Sequence, residues 1–282
     1  MRQPLELTVR PRQTRSLSEL SSDEVVATIE ADLRRAYPPQ GAAISESDGP
    51  DAIWRVTGIP DKYFNNVTYA SWRSAEAADH VGDMIDELDG HGVDYSWWIG
   101  PSSSPAELPE LLEELGMVYQ EDFPGMAIDL RTLPDEVSAV GGLEISRVDD
   151  AEGLARFSHA FTVATDSDPA VEPGFFRLLT ASGYGESDHW SHYTGAINGE
   201  VVATASAFTG AGVAGIYWVA TMPTERRRGI ATTLVRHVLQ LARAAGFTIA
   251  TLQSSEEGLG LYQGLGFREY CRFPFYVGHP LR

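Results

Sequence analysis

The chain has 282 residues, with 40 acidic against 21 basic side chains for a formal net charge of −19, and 43% of its residues are hydrophobic. That profile fits a globular protein with room for two cores of about 140 residues each. It argues against nucleic-acid binding, because an acidic surface repels phosphates.

The first sixteen residues, MRQPLELTVRPRQTRS, hold no apolar stretch long enough for a signal peptide. No run approaches the 18 or so apolar residues that would read as a membrane span. The single cysteine, Cys271, excludes a disulfide framework and CxxC-type metal clusters, so no metal is expected. Cytoplasm is the expected location, with no membrane partner. The acidity is uneven: residues 1–140 hold 26 acidic and 10 basic side chains, residues 141–282 hold 14 and 11. An anionic ligand is more comfortable in the second half, and a cationic one near the first. Lys62 is the only lysine, which reads as composition bias rather than salt adaptation, since the acids are not spread over the whole chain.

In the first half, AEAADHVGDMIDELDG reads as a helix, preceded by YASWRSAEAADH without an arginine–glycine loop. The pair Trp97-Trp98 reads as core and interface packing. The segment Arg131–Gly142 is polar, contains Pro134 and ends in Gly-Gly, and so reads as a linker. The expected division is 1–134, a linker at 135–142, and 143–282.

The second half parses in order. LEISRV alternates as a strand, and Asp149-Asp150 can cap the helix DAEGLARFSHAFTVA. A second helix is expected near Pro173–Ser182. Three strands follow, HYTGAI, VVATASAF and GIYWVAT, with Asn198-Gly199 as a hairpin turn. An amphipathic helix spans about Gly229 to Ala245, with Gly246 as its C-terminal stop. TIATLQ is a buried strand. A short helix then ends at Gly266-Phe267, and FREYCRFPFYV is a last strand. The expected fold is α/β on a mixed sheet.

The two halves share a pattern at an offset of 150. Leu115-Gly116-Met117 falls on Leu265-Gly266-Phe267, and Phe123-Pro124 falls on Phe273-Pro274. This predicts two diverged copies of one fold. Leu112 then stands where the second copy has Tyr262.

The sharpest motif is VATMPTERRRGIAT, Val219–Thr232. A strand ends, Pro223 breaks it, and a glycine opens a helix. Unpaired N–H groups and the positive dipole end of that helix suit a diphosphate. Gly229 and the small Ala231 permit close approach. Arg226, Arg227 and Arg228 add charge, although such a run by itself reads as a solvated basic turn.

Arg226-x-x-Gly229-x-Ala231, with Pro223 three residues ahead, resembles the acyl-CoA motif of the GNAT superfamily of N-acyltransferases. The resemblance covers 143–277 well and the first half faintly. It implies tandem GNAT-like domains, each a mixed, mostly antiparallel sheet flanked by helices, with the first copy degenerate. It implies acetyl-CoA as cosubstrate, held at Val219, Ala220, Thr221, Arg226, Arg227, Arg228, Gly229, Ile230, Ala231 and Thr232. A second family element, Asn-x-x-Ala-x-x-x-Tyr then Gly-Phe, is matched by Ser255-x-x-Gly258-x-x-x-Tyr262 and Gly266-Phe267. Ser255 and Gly258 are therefore further cofactor candidates, with Ser255 in place of Asn. Ser254 and Glu257 form a possible capping box. Gly258 and Gly260 inside a helix would cost about 1 kcal/mol each, which a close-packed pantetheine could offset.

Tyr262 is then the expected general acid for the departing thiolate, since a phenol stays protonated near neutral pH. Its other reading is a core aromatic. The resemblance places the oxyanion donor on the splayed strand near Val219–Thr221. The base is open among Glu172, Asp166, Tyr217 and Glu257. His159, His189 and His192 read as solvent-facing or structural. The run Gly258–Gln263 lacks the third glycine of a dinucleotide fingerprint. The expected activity is N-acetyl transfer to a primary amine of a small molecule, cationic or not, or of a peptide. The alternatives are a non-catalytic acyl-CoA sensor or scaffold, and an activity like that of mycothiol synthase, which also pairs two such domains.

Overall fold

In the computed structural model, residues 15–36, 43–135, 140–184 and 188–280 are described. The N-terminal stretch 1–14 and the linker residues 136–139 lie outside them.

The first half runs α1 (Ser22–Ala36), β1 (Ser45–Asp48), β2 (Ala52–Val56), β3 (Asn65–Ala70), α2 (Ser74–Asp89), β4 (Tyr95–Trp98), α3 (Leu108–Glu114) and β5 (Val118–Asp129). The second half runs β6 (Leu143–Arg147), α4 (Ala151–Ala164), α5 (Val171–Ser182), β7 (Trp190–Ile197), β8 (Glu200–Phe208), β9 (Ala214–Thr221), α6 (Ile230–Ala244), β10 (Ile249–Gln253), α7 (Leu259–Leu265) and β11 (Arg268–Gly278). The local signals act as their chemistry requires. Asp150 caps α4 by accepting from the Gly153 N–H. Asn198 and Gly199 both take positive φ, 52° and 85°, which closes the β7–β8 hairpin in the type I′ manner. Gly246 follows α6 at φ 98°.

All eleven strands form one mixed sheet in the order β1-β2-β3-β4-β11-β5-β10-β9-β8-β7-β6. The two halves exchange their last strands. β11 pairs with β4 of the first half, and β5 pairs with β10 of the second. β5 and β11 then pair antiparallel with each other, Phe123 directly opposite Phe273. On either side Pro124 faces Arg272 and Asp122 faces Pro274. Residues 150 apart therefore exchange places across this pair, so a pseudo-twofold axis passes through it. The repeat seen in the sequence is a real symmetry of the fold.

The axis is dressed with aromatic rings. Trp98 lies 4.7 Å from Phe123 and 4.8 Å from Phe275, and Phe123 lies 5.2 Å from Phe275. Trp97, on the opposite face of β4, belongs to a separate cluster with Val67, Leu88 and Leu112. On the Trp98 face, α1 crosses the centre of the sheet. Its Val25, Ile29, Leu33 and Ala36 join Phe273, Ile249 and Tyr217 in one core shared by both halves. On the other face α6 packs Leu234, Val235, Val238 and Leu239 against β8 and β9 residues such as Ala203, Ala205 and Ile216.

Candidate functional site

β9 and β10 run parallel, but only two pairs join them, Ala214 with Ala250 and Gly215 with Thr251. Beyond that rung the strands part. The cause lies in β9. Its pairing with β8 shifts between Thr204↔Ala220 and Ser206↔Tyr217, so Trp218 and Val219 both stand opposite one residue. Trp218 takes φ 47° at this bulge, and the Thr204 hydroxyl donates to its carbonyl at 2.9 Å. As a result Tyr217 and Trp218 both enter the core on the α4 face. Beyond the parting point, Thr221 Oγ1 on β9 and Gln253 Nε2 on β10 are buried without hydrogen-bond partners, as is Trp218 Nε1 on the core side. Orphaned polar atoms are costly in a finished core and ordinary in a groove that receives a polar guest.

The two loops that leave these strands meet at the mouth of the groove. Arg227 and Gly229 take left-handed φ of 60° and 78°. That turn aims the first turn of α6, Ile230, Ala231 and Thr232, at the opening with no side-chain cap. The Thr233 N–H is the first in α6 to find an acceptor, Gly229 O, which leaves the preceding N–H groups for an anion. The three arginines divide their labour. Arg226 braces the loop, donating to Thr221 O at 3.1 Å and Ala164 O at 2.9 Å, and it approaches Glu257 at 3.5 Å. Arg228 pairs with Glu225. Arg227 is exposed. Of the remaining candidates, Val219 is half-buried and Ala220 buried on the parted strand.

After β10 the chain makes a turn before α7 starts. The Ser255 hydroxyl and carbonyl both accept from the Gly258 N–H, at 3.3 and 3.1 Å. The capping box expected of Ser254 and Glu257 does not form. Ser254 is buried at the end of β10 and donates to Ser255 O, and Glu257 turns to Arg226. Gly258 caps α7 rather than sitting inside it. A Cβ there would lie 3.1 Å from the Tyr262 ring, so this glycine makes room for Tyr262. Tyr262 is half-buried with its ring edge-on to Phe267 at 5.8 Å. Desolvation pushes its hydroxyl above the ordinary tyrosine value, so it holds its proton through the neutral range.

The first half has the matching strands, β3 and β4, but its groove is closed. Ser71 bridges to Ser104, hydroxyl to hydroxyl at 2.7 Å. The Trp72 N–H donates to Ser104 O at 3.1 Å, and the Ser104 N–H donates to Ala70 O at 3.0 Å. Leu112, in the Tyr262 position, is fully buried.

The structure also brings in a residue that inspection of the second half alone missed. Asp32 of α1 is fully buried at the β9–β10 rung. Its Oδ2 accepts from the Tyr217 hydroxyl at 2.6 Å and the Thr251 hydroxyl at 3.0 Å, and Oδ1 has no partner. Gly215 is required beneath it, because a Cβ would run into Oδ2. Burial pushes the carboxyl from 3.8 up to about 7, with the two hydroxyls pulling the other way. Between those pH values the folded chain holds a proton that the unfolded chain has lost. Stability therefore falls as pH rises from about 4 to about 7 and stays low above. Asp32→Asn should remove this slope. Thermal melts should show the variant about 4 kcal/mol more stable than the parent at pH 8, and nearly level with it near pH 4. A signal for Asp32 existed in the sequence: it occupies a core-facing slot of α1 between Ile29 and Ala36.

The other candidates for a base are engaged elsewhere. Glu172 pairs with His159 at 3.1 Å on the surface. Asp166 occupies a left-handed turn after α4, at φ 54°. His192 is buried against Ser206 Oγ at 2.8 Å, and burial lowers it to about 3, so it is neutral. Burial raises the Cys271 thiol to about 12, aided by Glu30 and Glu269, which leaves it unreactive.

Residues 133–267 match the family model described as the acetyltransferase (GNAT) family. The chain carries a GNAT domain. The match ends at Phe267, one residue before β11 leaves for the other half. No protein of curated function matches the sequence. Among solved structures the chain is similar to a GCN5-related N-acetyltransferase from Kribbella flavida (16% identity, TM-score 0.62, 93% of this chain and 96% of that one). It is also similar to a GCN5-related N-acetyltransferase from Sphaerobacter thermophilus (19%, 0.60, 74% and 70%). A tandem GNAT protein from the clavulanic acid biosynthesis pathway aligns over 93% of this chain and 98% of its own (13%, 0.59). At these identities the likeness is one of fold, and it extends through both halves.

Proposed function

We propose that the chain is an N-acetyltransferase that binds one acetyl-CoA in the second half and transfers the acetyl group to a primary amine. The observation that carries this reading is the parting of β9 and β10 under two loops that meet at Arg226 and Glu257, with Thr221 and Gln253 offering unpaired polar atoms inside. A pantetheine arm has amides to satisfy them. The diphosphate sits on the N–H groups of Gly229 to Thr232, with Arg227 beside it. Arg226 acts by shaping the loop. Ser255 and Gly258 border the same mouth. The amine attacks the thioester directly, the backbone at the β9 bulge, Val219 to Thr221, receives the oxyanion, and Tyr262 protonates the departing sulfur. The first half walls the site, and its acidic balance favours a cationic small molecule or peptide as acceptor.

Calorimetric titration with acetyl-CoA tests the reading. One site per chain is expected. Gly229→Val, which forces a β-branched residue into φ 78°, costs about 1–2 kcal/mol in the loop and should weaken binding at least tenfold while melting stays cooperative. Heat from two sites, or none, would reject the arrangement.

A further inference from the structure

We propose that Asp32, contributed by the first half, is the proton acceptor of the reaction in the second half, and that it takes the proton of the attacking amine through the Tyr217 hydroxyl. The inference rests on the acetyltransferase reading above and names the base which that reading lacks.

Position is the first argument. Asp32 sits over Gly215 and Thr251, the last rung that joins β9 to β10. Tyr217 is two residues further along β9, next to the bulge at Trp218 and Val219 where β9 departs from β10. A proton passed to Tyr217 therefore has one hydrogen bond of 2.6 Å to travel to reach a carboxylate.

Cost is the second. Glu30, two residues earlier on α1, shows how a structural carboxylate is buried here. It accepts from the Ser102 N–H at 3.0 Å and from the Ser102 hydroxyl at 2.6 Å, and it meets Arg34 at 3.2 Å. Asp32 has no such cation. Tyr217 from β9 and Thr251 from β10 are the side chains that bear on its charge, and burial outweighs both. One oxygen stays unpaired, and a strand position is restricted to glycine to make room. An uncompensated buried carboxylate poised near neutrality destabilises the fold, and active sites are where such groups are kept.

The proton count closes. The ammonium N–H breaks toward Tyr217 Oη while the Tyr217 O–H proton moves to Asp32 Oδ2. The freed nitrogen lone pair forms the C–N bond at the thioester carbonyl. The C–S bond then breaks, and sulfur takes the Tyr262 proton. The second nitrogen proton replaces the one lost by Tyr262, and the proton on Asp32 returns through the Tyr217 hydroxyl to water once the products have left the groove. Ammonium and thioester give amide, thiol and one proton.

The test uses the full chain, acetyl-CoA, and a set of primary amines comprising a polyamine, an amino sugar and a peptide N-terminus, with released thiol as the readout. Asp32→Asn is isosteric, and Tyr217→Phe removes only the relay. Both should bind acetyl-CoA like the parent in calorimetry and keep its KM. Both should lose ten- to a hundredfold in kcat near pH 7. The parent rate should rise through about pH 7 (an acid limb), and Asp32→Asn should lack that limb and recover toward the parent above pH 9, where the amine is already neutral. A role confined to packing would not reshape the pH profile. Turnover in Asp32→Asn within threefold of the parent, with the limb intact, would overturn this assignment and leave the acetyltransferase reading standing. A parent chain that fails to bind acetyl-CoA, or binds it and releases no thiol with any amine, would overturn both.

Discussion

Cutting the chain in the linker, between 134 and 143, should leave neither half able to fold by itself. The sequence suggests two separable copies, but the sheet does not separate there. Without residues 143–282 the first half loses β11, and with it Phe273, Phe275, Tyr276 and Val277, all at least 96% buried. At about 1.5–3 kcal/mol for each large apolar side chain, that loss is roughly 6–12 kcal/mol, comparable to the whole stability of an ordinary domain. β4 also becomes an unpaired edge. The second half loses β5 in the same way, and β10, which carries the buried Ile249 and Leu252, is left open. Circular dichroism melts and gel filtration of 1–134, 143–282 and their mixture check this. The separate pieces should aggregate or melt without cooperativity, and co-expression should restore one complex that melts like the parent. A cooperative melt of 143–282 at the parent temperature would refute it.

Tyr262→Phe should lower turnover by about 10²–10⁴-fold, the range that a positioned proton donor supplies, with acetyl-CoA binding unchanged. The ring would keep its packing on Phe267 and over Gly258, so only the proton is removed. Because desolvation raises the hydroxyl above its ordinary value, the parent should show no loss of this donor up to pH 9. Thiol release under saturating acetyl-CoA, set beside calorimetry of the same variant, separates chemistry from binding. Unchanged kcat would return Tyr262 to the role of a core aromatic.

Much of this was legible in the sequence because it is local. Asn198-Gly199, Asp150 and Gly246 act through their own φ and side-chain bonds, and α6 is set by its 3.6-residue apolar period. The Arg226–Ala231 motif works through backbone within one turn, so its spacing was enough to mark it. The offset of 150 was legible too, since the same strand–helix–strand segment occurs twice. The capping box failed because the Ser254 hydroxyl, buried just past β10, donates to Ser255 O and Glu257 turns to Arg226.

Other features depend on contacts far apart in the chain. The exchange of β5 and β11 is a choice between equivalent partners, and no local propensity distinguishes an edge in its own half from one in the other. The closed first groove depends on Ser71 meeting Ser104. Asp32 meets Tyr217 across 185 positions, and its slot on the apolar face of α1 was a visible but ambiguous sign. The sequence by itself determined the elements of the second half, the repeat and the place of the Arg226–Ala231 motif, because each is written within a few turns of backbone. Only the tertiary structure decided which half completes which sheet and which carboxylate is deprived of water, because burial and its electrostatic consequences exist only after distant segments pack.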